Sequence, residues 1–459
     1  MASDYRIISP ATTLYLVNSS GTPTAGGAAT AANTTPWAIR SDWVLAAPEP
    51  DTVYGGGAPL VSGASLRQLT YPNVTETVTL AYLGTSADGA ADAVTLLSNQ
   101  FATLASAPAA LYAKPNGATN ATYYAIYSAQ VQPRAWPSTE RSPGEGAYKE
   151  LLVDLTITRS YAGGAASLAT LINAVTFGNT GTGSPNNVTT LGALTGDLQG
   201  EGQPLNIQMA TPSAGTASYV YLASVYSRTY QAIASSVTTS STTGANFTAS
   251  TAIDVSALRT RAGLRLRTMA RLTTLTAPSK AEVRVTVQTT AGNTLWVGAW
   301  VGLDTNTTAQ IVDLRCTSLD AERYPISNTA NVLLQCAIRS TDGTSVTATL
   351  GYIEALLYYD FCTLEASGGL GASQRYQLLG AQNFVGGWLP SVPPLAVVTD
   401  TSDVLVKPAV YKGTPPLART GASLYVAWAS AGHAHTTTET AAITVTHAPL
   451  WRAGLRGTT

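Results

Sequence analysis

Apolar and polar residues alternate along most of this chain. In TETVTLAY, Val74, Val78, Leu80 and Tyr82 fall on one side of an extended strand and Thr75, Thr77, Thr79 and Ala81 on the other, because successive strand side chains point to opposite faces. One face is expected to be buried and the other hydroxylated. The same period predicts strands at 151–158, 218–226, 281–289, 294–302, 332–338, 348–359, 423–429 and 441–447, segments rich in β-branched and aromatic residues. Asp342-Gly343, between two such runs, predicts a tight hairpin, since glycine tolerates positive φ. One segment departs from the pattern. Between 87 and 105, apolar residues recur at Ala90, Val94, Leu97, Phe101 and Leu104, the steps of an amphipathic helix whose stripe must lie on a sheet. The predicted fold class is mostly β: antiparallel sandwich or jelly-roll domains, with one amphipathic helix packed on the N-terminal sheet.

A length of 459 residues corresponds to roughly two to four domains. The loop-like stretch FGNTGTGSPNNVTTLG (177–192) and the change of composition at EASGGLGAS (365–373) divide the chain into 1–185, 186–366 and 367–459. A further small-residue stretch, SSVTTSSTTGANFTAS (235–250), predicts a loop inside the second part. Hydrophobic residues make up 45% and charged residues 11%, and the net charge is −1, so the chain as a whole is not built to coat nucleic acid or an anionic membrane. No run approaches the ~18 apolar residues of a membrane helix, and MASDYRIISP lacks the regions of a signal peptide, which predicts folding in a cytoplasm without membrane insertion. Cys316, Cys336 and Cys362 form no C-x-x-C pair and read as small hydrophobes.

Three groups of residues are candidates for chemistry. His433, His435 and Glu439 stand in the spacing H-x-H-x-x-x-E, and on a strand the two histidines point the same way and can share a metal, as in a cupin. The glycines of the cupin pattern are missing, with Ala427 and Val445 near their places, so an exposed loop with incidental histidines is the plainer reading. Arg265, Arg267 and Arg271 share one face of a predicted strand with Met269, and their guanidinium forks suit phosphate or carboxylate groups of a surface polymer; a solvated or charge-paired face is the alternative. Trp296 and Trp300, on one strand face, offer a stacking platform for sugar rings or else belong to a core. No nucleophile elbow, P-loop, dinucleotide fingerprint or H-E-x-x-H is present, which predicts a protein that is not an enzyme and needs no cofactor.

The order of segments resembles a known family. TETVTLAYLG, then a helix ending LLSNQFATLASAP, then ALYAKPNGATNATYYAIYSAQV with Leu111, Ala113 and Pro115 in the place of an L-x-V-x-P phrase, is similar to the ring-forming first domain of distal tail proteins of long-tailed phages. PLNIQM (204–209), LRLRTMARL (264–272) and TLGYIEALLYY (349–359) resemble the jelly-roll, carbohydrate-binding-module-like domain often appended to them. His447, Pro449 and Trp451-Arg452 stand where that family closes on a Tyr-x-Pro-Arg phrase. The resemblance implies a homohexameric ring in the virion, at the tail tip, assembled in the host cytoplasm. Its partners would be further copies of itself, the tail tube protein, the tail-tip proteins and, through the projecting domain, a host cell-surface glycan. The competing expectations are a receptor-binding or glycan-binding tail protein and a cupin-like metalloenzyme.

Overall fold

A computed structural model describes residues 4–9, 13–16, 37–39, 45–49, 51–55, 65–82, 87–102, 104, 109–114, 120–135, 152–179, 187–196, 202–213, 217–261, 263–315, 330–384, 386–436 and 439–451. Two long strands dominate it. Tyr219–Thr239, of 21 residues, and Val346–Glu365, of 20, pair antiparallel from Tyr219 opposite Glu365 to Thr239 opposite Val346. Ser423–Ala429 and Val188–Thr190 extend this sheet on one side, Arg265–Thr276 and Gln310–Arg315 on the other, and Val410–Gly413 adds to one end. The result is a wall on whose inner face two separate sheets pack.

Toward Tyr219 and Glu365, the wall residues Val220, Leu222, Cys362 and Leu364 meet Leu205, Ile207, Tyr376, Ile443 and Val445. Those partners belong to a second sheet running Ala169–Gly178, Thr440–His447, Gln203–Ala210, Gln374–Phe384, Gly387–Asp400 and Leu405–Pro408. Toward the other end, Leu266, Leu350 and Ile353 meet Val283, Val285, Leu334 and Ile338 of a smaller sheet made of Ala245–Asp254, Asn331–Ser340, Ala281–Thr289, Thr294–Val297 and Val301–Gly302. Bulges between Ser224 and Ser227 and between Ala232 and Ser235 re-phase the long strand, so that apolar side chains keep facing inward along its length. On the wall's other face the fully buried Glu354 carboxylate accepts from Arg228, from Tyr425 Oη at 3.0 Å and from Asn187 Nδ2 at 3.2 Å.

A further sheet carries the helix. Thr13–Leu16, Asp4–Ile8, Ala109–Lys114, Thr122–Ala135, Leu152–Arg159, Val74–Tyr82 and Trp37–Ile39 lie side by side, and the helix Ala87–Asn99 buries Ala93, Leu97 and the following Phe101 against Ile7, Leu80, Leu111 and Leu155. The opposite face is hydroxylated, as the alternation predicts: Thr75 and Thr158 pair their hydroxyls at 2.9 Å, as do Thr77 and Thr156. Glu76 interrupts the apolar face at a position the alternation makes inward. It is buried and ion-paired with Arg159, whose guanidinium also donates to Ala46 O at 2.6 Å and lies 4.5 Å from the Tyr124 ring. The same carboxylate accepts from Ala46 N at 3.0 Å, so the pair fastens the 45–49 segment to the sheet. Leu450–Trp451 returns to this sheet and pairs with Gly163–Gly164. At that junction Trp388 N donates to Ala165 O at 2.8 Å, and a Cβ on Gly164 would lie 1.8 Å from Trp388 O, a separation only glycine permits.

Three local expectations are corrected. Asp342-Gly343 does form a turn with Gly343 at φ 86, but it joins two sheets instead of closing a hairpin: Asn331–Ser340 belongs to the small sheet and Val346–Glu365 to the wall. Both runs bury apolar residues in one core from opposite sides, and a period of two does not distinguish a hairpin from a corner between layers. The 294–302 strand is broken at Gly298–Trp300; Gly298 N donates to Val285 O at 2.8 Å, leaving no room for a Cβ. The 235–250 stretch is strand up to Thr239 and again from Ala245, because β-branched threonine suits a pleated sheet whatever its polarity. Cys336 and Cys362 are buried free thiols, burial pushing the Cys336 pKa up to about 12; Cys316 lies outside the described residues.

Truncating Glu76 tests the buried pair. Glu76→Ala leaves the Arg159 charge buried without its counter-ion and is expected to cost about 3–5 kcal/mol in chemical unfolding, whereas Thr77→Ala on the hydroxylated face should stay within about 1 kcal/mol.

Candidate functional site

A cleft of about 510 Å³ opens at the Tyr219–Glu365 end of the wall, on the face opposite Val220 and Leu222, and is bounded also by Ala299, Val301 and Gly302; its size is within the range of ligand pockets. Tyr219 and Tyr221, two apart on one strand, present their rings to the same side. His433 lies over them: its ring stacks on Tyr219 with centroids 4.1 Å apart, and its Nδ1 is 2.8 Å from Tyr221 Oη. Gly432 and His433 occupy consecutive left-handed conformations, φ 64 and 52, and this turn delivers the imidazole to the cleft. Asp304 Oδ2 stands 3.6 Å from His433 Nε2. With Tyr221 Oη donating to Nδ1, the proton on Nε2 faces Asp304. Burial raises the Tyr221 pKa strongly and holds it as a donor; burial likewise lowers that of His433, with Asp304, Glu365 and Asp313 opposing.

The walls of the cleft are fixed by one amide. Gln310, buried, donates through Nε2 to Asp304 O at 2.9 Å and Asn306 O at 2.6 Å and accepts from Asp304 N at 3.0 Å, while its backbone bridges Ala434. It ties the Asp304 loop to the turn that carries His433. Opposite, Glu365 meets Lys412 at 2.8 Å, and Asp313 is held by Arg267. Ala299, Val301 and Ile311 supply apolar surface between these polar groups.

The structure redistributes the residues singled out in the sequence. Residues 431–433 form a 3-10 turn, not a strand, so His433 and His435 do not point the same way. His435 is buried with neither ring nitrogen hydrogen-bonded, edge-on to Tyr352 at 6.0 Å. Glu439 accepts from Trp428 Nε1 at 2.8 Å inside the second core. The three side chains serve three different environments, and among the described residues no group of three or more His, Cys, Asp or Glu is placed to hold a metal ion. Arg267 does share its strand face with Met269, but that face is covered: its fork is taken by Asp313, with Nε at 2.7 Å, and its guanidinium lies 3.4 Å from the Phe361 ring. Arg265 approaches Asp360, and Arg271 sits beside Tyr352 and Tyr230. Trp296 is half-buried against the core of the small sheet; Trp300 is clasped between the guanidiniums of Arg284 and Arg339 at 4.3 and 4.7 Å. The two indoles form no common platform, because the chain bends between them. Tyr219, Tyr221, Asp304, Glu365 and Lys412 were not singled out in the sequence; only the i, i+2 tyrosines of SYVYL carried a signal.

A second groove, of about 420 Å³, lies on the outer face of the second sheet beside Gln208, Arg375 and Thr444. Two of its polar groups are engaged by Asp403, which lies outside its lining: Asp403 Oδ1 accepts from Gln208 at 3.2 Å and lies 3.6 Å from Arg375 Nη1.

No family model matches the chain, and no curated protein matches it. Among solved structures, a chain of the phage p2 baseplate in its activated conformation with Sr aligns over 78% of this chain and 98% of its own, with 10% identity and a TM-score of 0.24. The SPP1 Dit protein aligns over 76% and 98%, with 9% identity and a TM-score of 0.25. VP2 of infectious bursal disease virus aligns over 82% and 80%, with 13% identity and a TM-score of 0.19. Likeness at these TM-scores carries no weight for fold or function. No described helix is long and apolar enough to cross a membrane.

The buried histidines make stability depend on acid. Burial lowers the pKa of His435 to about 3 and that of His447 to about 4, from 6.5. Below about pH 6.5 the unfolded chain takes up protons that the folded chain refuses, so stability falls from there toward the folded values, by about 2 to 3 kcal/mol per histidine at about pH 4.5. The melting temperature is expected to drop between about pH 7 and about pH 4.5, and His435→Phe should shrink the drop; an equal drop in the variant would contradict this.

Proposed function

We propose that this protein is a structural component of a phage tail, a hub whose copies close into a homohexameric ring joining the tail tube to the tip. The helix-backed sheet closes the ring, and the sandwiches built on the long wall project from it and touch neighbouring copies along the edge of the second sheet. The order of sequence segments supports this reading, and the observation that carries it is an apolar sheet edge. Leu405–Pro408 is the last strand in the order of the second sheet, and Val404, Leu405, Val406 and nearby Val410 are 59, 63, 46 and 59% exposed. Exposed apolar edges invite strand pairing and aggregation, and a closed assembly of identical chains is the ordinary way to cover them. The other terminal strand of that sheet, Ala169–Gly178, also exposes an apolar side chain, Val175.

A cupin-like metalloenzyme is disfavoured by the separate surroundings of His433, His435 and Glu439. Contact with a host glycan belongs to the projecting sandwiches, and the cleft at Tyr219 is the surface best suited to it. Light scattering of the purified protein should give about six times the 47.4 kDa subunit mass, and Leu405→Lys should shift it toward smaller species without altering the circular dichroism spectrum. A wild-type monomer at micromolar concentration would overturn the reading.

A further inference from the structure

We infer that the cleft between Tyr219, Asp304 and Glu365 binds a neutral sugar residue through a pair of adjacent hydroxyls. This rests on the reading of the sandwiches as the projecting part of a virion component, though the chemistry stands on the cleft alone. Sugar rings present two kinds of surface, apolar C–H patches and rims of hydroxyls that both donate and accept. The cleft offers the counterpart of each. Tyr219 and the Ala299, Val301 and Ile311 surface provide apolar wall, while the Asp304 and Glu365 carboxylates accept and Lys412 donates.

The charge balance selects a neutral ligand over a charged one. Glu365 is already paired with Lys412 at 2.8 Å, Asp313 with the buried Arg267 fork, and Asp304 faces the Nε2 side of His433 at 3.6 Å. A cationic ligand would have to compete with Lys412 and Arg267 for two of the three carboxylates, and an anion would meet all three. A hydroxyl pair can instead donate into carboxylate lone pairs that the existing partners leave open, since each carboxylate accepts about four hydrogen bonds. The groups are held in place beforehand: Gln310 fixes the Asp304 loop from a buried position, and the left-handed pair Gly432-His433 fixes the imidazole. This places glycan contact away from the expected Arg265, Arg267, Arg271, Trp296 and Trp300 surface, because those side chains are covered, paired or apart. The groove beside Gln208 is the weaker alternative, lacking both an aromatic wall and a carboxylate among its lining residues.

Saturation-transfer NMR on the full-length protein with methyl glycosides of glucose, galactose, mannose, rhamnose and N-acetylglucosamine tests the assignment. At least one glycoside should receive saturation at its ring C–H protons, with an affinity unchanged between about 0.05 and about 0.5 M NaCl. Asp304→Asn and Tyr219→Ala should each weaken it about tenfold, and Gln208→Ala in the other groove should leave it intact. The idea fails if none of the five binds, if binding survives Asp304→Asn but is lost in Gln208→Ala, or if choline chloride binds in a salt-sensitive manner and competes with the glycoside. Light scattering on the same variants keeps the two questions apart: sugar binding lost with the ring intact sinks only the cleft assignment, and sugar bound by a monomer sinks only the hub.

Discussion

The pairing of Tyr219–Thr239 with Val346–Glu365 is the constraint on which the rest depends. A sheet with strands of about twenty residues cannot bury its inner face against one partner of ordinary size, since most strands are only about five or six residues long. Two sheets therefore share it, each with its own core, and the bulges near Ser224 and Ala232 hold the apolar faces in phase across the seam. The cleft lies at the Tyr219–Glu365 end of the wall, on the face opposite Val220 and Leu222. Its tyrosines come from the wall and its Asp304 loop from the run that follows the small sheet's Val301–Gly302, so neither sheet alone contains the site.

Much of the fold was legible in the alternation of residues. Strands centred on 281–289, 423–429 and 441–447 follow directly from period two, and a helix over 87–105, of which Ala87–Asn99 is helical, from steps of three and four, because one buried face imposes these periods whatever lies opposite. What alternation cannot supply is the identity of that opposite face. Asp342-Gly343 has the residues of a hairpin and makes a corner; Trp296 and Trp300 have the spacing of neighbours and are parted by a bend that Gly298 permits. Glu76 is instructive in the same way: a lone carboxylate on an inward position reads as an irregularity until Arg159, 83 positions away, is seen to neutralise it.

The site was less legible than the fold, for a related reason. His433 was conspicuous because histidine is scarce here, yet its partners Tyr221 and Asp304 lie 212 and 129 positions earlier in the chain, and common residues carry no mark of such meetings. Scarcity drew attention equally to His435 and Glu439, which the fold uses for packing and for a bond to Trp428. Arginine on a strand suggested an outward cation surface, but guanidinium also suits a partly buried pair with aspartate, and Arg267 takes that course with Asp313.

The pairing of Leu450–Trp451 with Gly163–Gly164 has an evolutionary bearing. The described residues between 165 and 449 depart from the helix-backed sheet and come back to it through neighbouring strands, so that span is a cassette joined at one junction, where Gly387 and Trp388 also meet the base. Changes of length or sequence inside that span can leave the strand pairing of the base in place, because only the junction strands are shared.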